Sequence, residues 1–238
     1  MKNISYIRPT VGLEMKKRKT QPEQRKQEYI DTAIDLFVEK GYFKTTVQEI
    51  IDAMNASKGA FYHYFKSKED IIHVIIEDEI EKYQRVMHEI TGMEGKTAIE
   101  KFRDMLTRLQ AMRHENRERQ IKLFKLMESK ENVLFYEQLI ERIIKMSTPF
   151  YRDIIIQGNE EGSFHVTNPV YTTEMIMYII IYLRRKMALI YFQASDKTEV
   201  LDEILEIILF MDEIMHKILG VAPGTLNIKE EYVKYLKS

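Results

Sequence analysis

Cysteine and tryptophan are both missing from the 238 residues, and glycine and proline are scarce. Without cysteine the chain can form no disulfide and offers no thiolate ligand to zinc or to an iron–sulfur cluster. Nothing in the composition therefore points to an oxidising compartment. Hydrophobic residues make up 45% of the chain, which is enough to bury a sizeable core, so we expect a folded protein and not a disordered one.

Long apolar runs are also lacking. The most apolar stretch, Met175–Leu183, ends in the basic residues Arg184, Arg185 and Lys186, and it is far shorter than the roughly 20 residues that a membrane span needs. The first twenty residues contain no apolar region of the kind found in secretory signals. We therefore expect a soluble, cytoplasmic protein with no membrane partner.

Signatures of catalysis are absent as well. The chain contains no HExxH motif, no glycine-rich phosphate loop and no G-x-S-x-G motif. Its six histidines show no metal-ligand spacing, and they are His63, His73, His88, His114, His165 and His216. We expect neither an enzyme nor a bound metal or cofactor, although a polar cluster inside a cavity would reopen the possibility of an all-helical enzyme.

Charge is distributed unevenly along the chain, whose net charge is only −1. Residues 1–68 hold 13 lysines and arginines against 8 aspartates and glutamates, a net charge of +5, and the remainder carries −6. A basic module joined to an acidic body is typical of a protein that binds a polyanion. By itself this asymmetry is a weak indication, since many basic faces are only solvated surface.

Helical periodicity dominates what the chain does contain, and no run of alternating strands is visible. Thr20-x-x-Glu23 forms a capping box at the start of a first helix. Gly41 is placed to end that helix in a left-handed turn. Its apolar stripe consists of Ile30, Ala33, Ile34 and Phe37.

Two short helices follow. Thr46 begins the second helix, because Thr46-x-x-Glu49 is another capping box. Asn55 lies in a short turn, since asparagine tolerates the left-handed conformation, and Ser57 caps a third helix that runs to about Phe65. Two short helices joined by such a turn form a helix-turn-helix.

A fourth helix begins at Ser67, and the rest of the chain predicts six more helices with a clear loop at 158–169. The predicted fold is thus all-α, with an N-terminal three-helix unit containing the helix-turn-helix and a larger C-terminal helical part. The six later helices are placed near 97–112, 117–129, 131–157, 169–193, 197–219 and 228–236.

The third helix has one apolar face and one polar face. Phe61, Tyr64 and Phe65 share one face at i, i+3, i+4 spacing, which is typical of core residues. The opposite face presents Lys58, Gly59, Tyr62 and His63. A helix that enters the major groove needs such a face, with donors for phosphates and base edges and a small residue where its backbone meets DNA.

Three linked blocks in this region resemble the N-terminal domain of the TetR family of bacterial transcriptional regulators. They are A-x-x-L-F-x-x-x-G-Y at 33–42, T-T-V-x-x-I at 45–50 and S-K-G-A-F-Y-x-Y-F-x-S-K at 57–68. One departure is Met54-Asn55-Ala56, where the family more often has Ala-Gly-Val, but asparagine can adopt the glycine conformation. The resemblance covers about a fifth of the chain. It implies an all-helical homodimer that binds double-stranded DNA at a palindromic operator.

The resemblance also assigns contacts. Those facing base edges or nearby phosphates would be Lys58, Gly59, Ala60 and His63. Those mostly fixing the DNA backbone would be Thr46, Ser57, Tyr62, Tyr64 and Lys68. Two alternatives stay open: Gly59 either approaches DNA or packs against another helix, and Lys68 is either close to a phosphate bound at the fourth helix or an ordinary solvated lysine.

We predict three parts: a basic arm at 1–19, a DNA-binding domain at 20–68, and an effector-binding and dimerisation domain at 69–238. The arm holds Lys16, Lys17, Arg18 and Lys19, and it either reaches a minor groove or phosphates or is a disordered tail. Two translation starts stay open, Met1 and Met15, since Met15 begins the basic run MKKRKT. The helices at 169–193 and 197–219 resemble the dimerisation pair of the family, with simple core as the alternative. Their apolar stripes include Ile176, Ile179, Ile180 and Leu183, then Ile204, Ile207, Ile208, Met211 and Met215.

The middle of the chain is rich in methionine and aromatic residues, which suit an adaptable apolar pocket but are more often plain core. The candidate effector-binding residues are Met105, Phe124, Tyr151, Tyr178 and Tyr182. The leading hypothesis is a repressor released from its operator by a small apolar or amphipathic effector. The alternative is an architectural or cell-division protein on the same scaffold, controlled by a protein partner. A buried apolar cavity would favour the first, and a filled core would favour the second.

Overall fold

The computed structural model describes residues 20–128, 132–196 and 198–236, and these residues form ten α-helices without a strand. The predicted all-α fold is therefore confirmed, while the predicted basic arm at 1–19 lies outside the described residues. None of these helices combines the length and the apolarity of a membrane span. The helices are α1 (Gln21–Lys40), α2 (Val47–Ala53), α3 (Lys58–Tyr64), α4 (Lys68–Thr91), α5 (Ala98–Glu115), α6 (Arg117–Glu128), α7 (Val133–Glu160), α8 (Pro169–Gln193), α9 (Leu201–Leu219) and α10 (Ile228–Leu236).

Local capping signals explain where the N-terminal helices begin. The backbone N–H of Thr20 donates to Glu23 Oε2 at 2.7 Å, and that of Thr46 donates to Glu49 Oε2 at 2.8 Å. Both capping boxes that the sequence predicts are thus present. Gly41 has a φ of 89° and a ψ of 147°. The positive φ is as expected, but the chain leaves α1 in an extended direction instead of making a left-handed turn.

The buried apolar residues form two clusters. The first cluster joins α1, α2 and α3 to the first half of α4, through Ile71 to Ile80, and to Leu123, Leu126 and Met127 of α6. The core around the helix-turn-helix therefore does not end at residue 68. Although α6 lies in the C-terminal part of the chain, it packs in the same cluster as α1.

The second cluster holds the rest of the molecule together and is built from the end of α4, from α5, and from α7 to α10. The loop between α7 and α8 folds back onto it through Phe164, which is 2% exposed. A Cβ atom on Gly158 would lie only 2.2 Å from Cδ2 of the Phe164 ring. Glycine at 158 is therefore required for this loop to close over the core.

Candidate nucleic-acid interface

The orientation of α3 is fixed by two aromatic anchors. Phe61 is 0% and Phe65 is 1% exposed, and their rings meet the ring of Tyr29 edge-on at centroid distances of 5.8 and 6.1 Å. Burying this face forces the opposite face outward, since residues on opposite sides of a helix cannot share one core. Lys58 and His63 are accordingly exposed. The structure thus brings the predicted base-facing residues of α3 together on one surface.

Gly59 lies near the start of this exposed face. A Cβ added there would have Ser57 Oγ, at 3.9 Å, as its nearest contact. Nothing in the described part of the chain therefore requires glycine at this position, so packing against one of these helices does not explain it. Glycine in a helix costs roughly 1 kcal/mol relative to alanine, and the close approach of Gly59 to DNA stays a prediction.

Hydroxyl groups cap the helices on either side of the turn. Thr46 Oγ1 accepts from the backbone N–H of Glu49 at 3.2 Å, and Ser57 Oγ accepts from that of Ala60 at 3.2 Å. Both hydroxyl residues are exposed, while Ala60 is half-buried. Asn55, in the turn between them, has a φ of 46°. This left-handed conformation is the one that the sequence predicts for asparagine here.

Glu49 combines its capping role with an ion pair. Lys40 Nζ donates to Glu49 Oε1 at 2.8 Å. This hydrogen bond, together with the donors of Thr46, lowers the pKa of the Glu49 carboxyl to about 2. The charged carboxylate therefore fixes the start of α2 to the end of α1.

Lys68 has a role inside the protein that the sequence did not reveal. Its Nζ donates to the carbonyls of Tyr42 at 2.7 Å and Thr45 at 2.8 Å, and it lies 4.3 Å from the centroid of the Tyr42 ring. Burial lowers the pKa of this ammonium group. Lys68 is thus neither an ordinary solvated lysine nor a group devoted to phosphate, because two of its N–H donors hold the α1–α2 connection in place. A phosphate contact through the third stays a prediction.

The two tyrosines of α3 lie in different surroundings. Tyr62 is 57% exposed, whereas Tyr64 is half-buried with its ring 5.8 Å from that of Tyr29. Tyr64 is therefore shared between the core and the surface. The sequence analysis missed Lys44 and Lys66, which are exposed beside α2 and α3. Within the described part of the chain neither they nor Lys58 form an ion pair, so their charges remain available to a phosphate.

Exposed apolar side chains lie on α8 and α9, two helices that pack against each other. They are Tyr171, Met175, Tyr178 and Tyr182 of α8, with Leu209 and Phe210 of α9. The four α8 residues follow one another at helical spacing, and each is 48–70% exposed. We call these six residues the α8–α9 surface. Exposed apolar patches of this kind usually mark an interface.

The apolar stripes that the sequence analysis gave to the dimer interface instead face the core of their own chain. Ile176, Ile180 and Leu183 are buried, as are the residues of the α9 stripe: Ile204, Ile207, Ile208, Met211 and Met215. Both helices are apolar on two sides, and the more aliphatic side is the one that packs inward. The predicted helices thus carry an exposed apolar surface, but the predicted residues do not form it.

The five candidate effector-binding residues do not share one pocket. Met105 and Tyr151 are packed in the second cluster, at 0% and 2% exposure. Phe124 is half-buried, with its ring 5.1 Å from Phe192. Tyr178 and Tyr182 belong to the α8–α9 surface, at 61% and 65% exposure, and their role in effector binding stays a prediction. Two open depressions, at 114–119 and on the outer side of α10, contain none of the five.

Comparison with known proteins shows which protein family the chain resembles. The family model for bacterial regulatory proteins of the tetR family matches residues 30–75, and the model for the tetracyclin repressor-like C-terminal domain matches residues 113–200. The two matches together take in more than half of the chain. The HTH-type transcriptional repressor KstR2 of Mycolicibacterium smegmatis is 26% identical over 150 residues, which span 61% of this chain and 70% of that protein.

Solved structures agree in fold along nearly their whole length. A putative TetR-family transcriptional regulator from Syntrophomonas wolfei superposes with a TM-score of 0.61 at 25% identity, covering 85% of this chain and 97% of that one. The SmeT–triclosan complex superposes with a TM-score of 0.66 at 16% identity, with the same coverage. With the matched family models and the exposed helix-turn-helix described above, the chain belongs to the tetR family of bacterial transcriptional regulators.

Proposed function

We propose that the protein is a transcriptional repressor that binds a palindromic operator as a homodimer and leaves it when a small apolar or amphipathic molecule binds. The observation that carries this proposal is α3. Its aromatic face is locked into the core by Phe61 and Phe65, while Lys58, Tyr62 and His63 project from the other side. Operator binding would place the protein in the cytoplasm with the chromosome.

In this proposal α3 enters the major groove. Lys58 and His63 offer donors to base edges and phosphates, and the bare backbone at Gly59 allows the helix to come close. Thr46, Ser57 and Tyr62 would bind phosphates on either side. Lys44 and Lys66 add positive charge at the edges of the same region, where phosphate contacts supply affinity but no sequence preference.

The α8–α9 surface would join two copies of the chain. A palindromic operator has two half-sites related by a twofold axis. The two copies of α3 in the dimer must therefore lie about 34 Å apart, or a multiple of that distance. An interface far from α3 lets the relative position of the two copies set this distance. Aromatic residues such as Tyr178 and Phe210 are the residue types that dominate stable interfaces.

Effector control is supported by two relatives and by the position of α6. KstR2 is named a repressor, and the SmeT structure is a complex with triclosan, a small molecule. In this chain α6 packs on the N-terminal helices and joins the C-terminal helices through α5 and α7. A ligand that moves α6 would therefore change the position of α3, the helix proposed to enter the major groove.

A second candidate keeps one observation in its favour. Met105 and Tyr151 are packed in the core, and a filled core fits a protein controlled by a protein partner, such as an architectural or cell-division protein. A screen of small apolar compounds by thermal shift, followed by operator titration with each hit, separates the two. Compounds that stabilise the protein and release the operator support the repressor, whereas a complete lack of hits favours the partner.

The DNA-binding part of the proposal is tested by selecting an operator from random duplexes with the purified protein. Lys58→Ala and Tyr62→Phe should each weaken binding to the selected site by about 1–3 kcal/mol. Lys125→Ala, which removes an exposed lysine of α6, is the matched control and should bind normally. Wild-type affinity in the Lys58 variant would show that α3 does not read DNA as proposed.

A further inference from the structure

Two arginines lie on the inward-facing stripes of the C-terminal helices. Arg113 follows Leu109 by four residues and Leu106 by seven on α5, and both leucines are buried. Arg184 follows the buried Ile180 by four residues on α8. Residues at these spacings share one helix face. Both guanidinium groups therefore extend along the face that each helix turns towards the core, and both residues are half-buried.

Tyrosines from three other helices meet these arginines. Tyr151 of α7 and Tyr232 of α10 are 2% and 4% exposed; both lie near Arg113, and Tyr151 also lies near Arg184. Tyr83 of α4 is within hydrogen-bonding reach of Arg113. The helices involved are neighbours, since α5 packs on α4, α7 and α10, and α8 packs on α7. The two arginines and three tyrosines thus form one cluster, which we call the Arg–Tyr cluster.

The Arg–Tyr cluster lacks negative charge. Among the described residues no carboxylate pairs with Arg113 or Arg184, and the hydrogen bond from Arg113 Nη2 goes to the neutral Gln110 at 2.9 Å. By contrast, the half-buried Arg119 contacts three carboxylates. Burial first, and then the charge of Arg184, lower the pKa of the Arg113 guanidinium. Two like charges held in an apolar setting without an anion are unfavourable.

The tyrosine hydroxyls complete a site suited to an anion. Burial raises the pKa of the Tyr151 phenol, so this hydroxyl stays neutral and can donate a hydrogen bond. Arginines and neutral tyrosines supply no nucleophile or general base at neutral pH, so the cluster suits binding and not catalysis. Half-buried apolar residues on the same two helices as the arginines pack on the second cluster, and they include Met112 of α5 and Ile179 and Met187 of α8.

We propose that Arg113 and Arg184, with the hydroxyls of Tyr83, Tyr151 and Tyr232, bind the anionic head group of an amphipathic effector. The head group is a carboxylate or a phosphate, and the apolar body of the same molecule lies among the neighbouring aliphatic side chains. Guanidinium groups bind both anions through two parallel hydrogen bonds. This inference rests on the proposed function and names the chemical class of its effector.

The position of Arg113 connects this site to DNA binding. Arg113 lies in the last turn of α5, and only Asn116 separates α5 from α6. An anion that draws Arg113 and Arg184 together would move the end of α5 and with it the start of α6. Arg119, two residues into α6, contacts α1 and α4. The movement caused by anion binding would thus reach α3 through α6.

The test compares ligands that share one alkyl chain and differ only in the head group. Dodecanoate, dodecyl phosphate, dodecanol and dodecyltrimethylammonium are each added below their micelle concentrations to the full-length protein without DNA. Thermal shift and calorimetry should show binding of the two anions at least about tenfold tighter than that of the alcohol, and no binding of the cation. The tighter of the two anions identifies the head group. Equal binding of dodecanol and dodecanoate would overturn the proposal.

Variants locate the site. Arg184→Met and Arg113→Met should each reduce anion affinity by more than about tenfold, and the unliganded variants should melt at or above the wild-type temperature, because an uncompensated charge has been removed. Arg185→Met is the matched control, since Arg185 is adjacent and exposed and pairs with Glu128 at 2.6 Å. Should one variant fail to fold, the other still decides. Wild-type anion affinity in a folded Arg184→Met protein would overturn the assignment.

Operator titration is kept as a separate measurement. Anion binding that is lost in Arg184→Met, together with operator release by the same anion, supports both the site and the proposed function. Anion binding without any operator affinity would contradict the proposed function and leave the site standing. Operator binding with no response to either anion would contradict the site and leave the repressor function standing.

Discussion

Arg119 Nη1 in α6 lies 2.6 Å from Asp31 Oδ1 in α1. The same guanidinium reaches α4, where its Nε lies 3.2 Å from Glu79 Oε1. Glu79 is 6% exposed, and Gln120 of α6 donates to its other oxygen at 2.8 Å. One side chain of α6 therefore joins α1 and α4, the two long helices that flank the helix-turn-helix. It also supplies a donor to the buried carboxylate of Glu79, which would otherwise lack one of its hydrogen bonds.

Replacing Arg119 by methionine should lower the free energy of unfolding by about 1–3 kcal/mol, because buried Glu79 loses one of its three donors and keeps only Lys82 and Gln120. Lys122→Met is the control. It removes a pair with Asp35 at 2.5 Å whose side chains are 46% and 55% exposed, and exposed pairs contribute less than about 1 kcal/mol. Chemical denaturation measures both. Equal losses in the two variants would show that Arg119 acts only as a surface charge.

Local signals in the sequence predicted most of the N-terminal part. Thr46, Glu49 and Ser57 act within one turn of helix, so their side chains reveal helix boundaries without knowledge of the fold. The alternation of Phe61 and Phe65 with Lys58 and Tyr62 likewise identified the outward face of α3. Each of these inferences depends on groups that are close in the chain.

Long-range contacts could not be predicted in this way. The hydrogen bonds of Lys68 to Tyr42 and Thr45 span more than 20 positions, and nothing near Lys68 in sequence indicates them. On α8 both Ile180 and Tyr178 fit an apolar stripe, and periodicity does not tell which stripe faces the core. Arg113 and Arg184 escaped notice for the same reason, since only the packing of α5, α7 and α8 brings them together.

Phe61→Ala should destabilise the N-terminal helices by about 3–5 kcal/mol, because the ring is 0% exposed and its removal leaves a cavity against Tyr29. Tyr62→Phe is the matched aromatic change on the exposed face and should leave the melting temperature unchanged. Circular dichroism during thermal unfolding distinguishes them. A Phe61→Ala protein as stable as the wild type would show that α3 is not anchored by this ring.

Tyr178→Glu should break the homodimer. Tyr178 is 61% exposed in the single chain, and a carboxylate on a twofold apolar interface would be buried beside its own symmetry copy or close to it. The dissociation constant should rise by about 30-fold or more, equivalent to about 2 kcal/mol. Light scattering at micromolar concentration measures this. Phe43→Glu is the control, since Phe43 is 64% exposed on the α1–α2 connection; a wild-type protein that is already monomeric would contradict the interface.

Operator affinity should fall steeply as salt is added. If each reading head neutralises about four phosphates, the plot of log K against log salt for the dimer has a slope of about −7. Lys44→Ala should make the slope shallower by about 2, since the dimer loses one phosphate contact in each head. Lys125→Ala serves again as the control. A flat salt response of the wild type would contradict DNA binding through phosphates.

Lowering the pH should remove the contribution of the Glu49 carboxylate to the stability of the N-terminal helices. Its carboxyl has a pKa of about 2 in the folded protein, below the ordinary value of 4.5, because Lys40 and Thr46 donate to it. A carboxyl with a lowered folded pKa stabilises the fold above its unfolded pKa, and this contribution disappears as the pH falls towards the folded value. The difference in unfolding free energy between the wild type and Glu49→Gln should therefore be constant near neutral pH and shrink between about pH 5 and about pH 2. Denaturation at a series of pH values measures this difference. A Glu49→Gln difference that persists at pH 2 would mean that the charge of Glu49 does not secure α2.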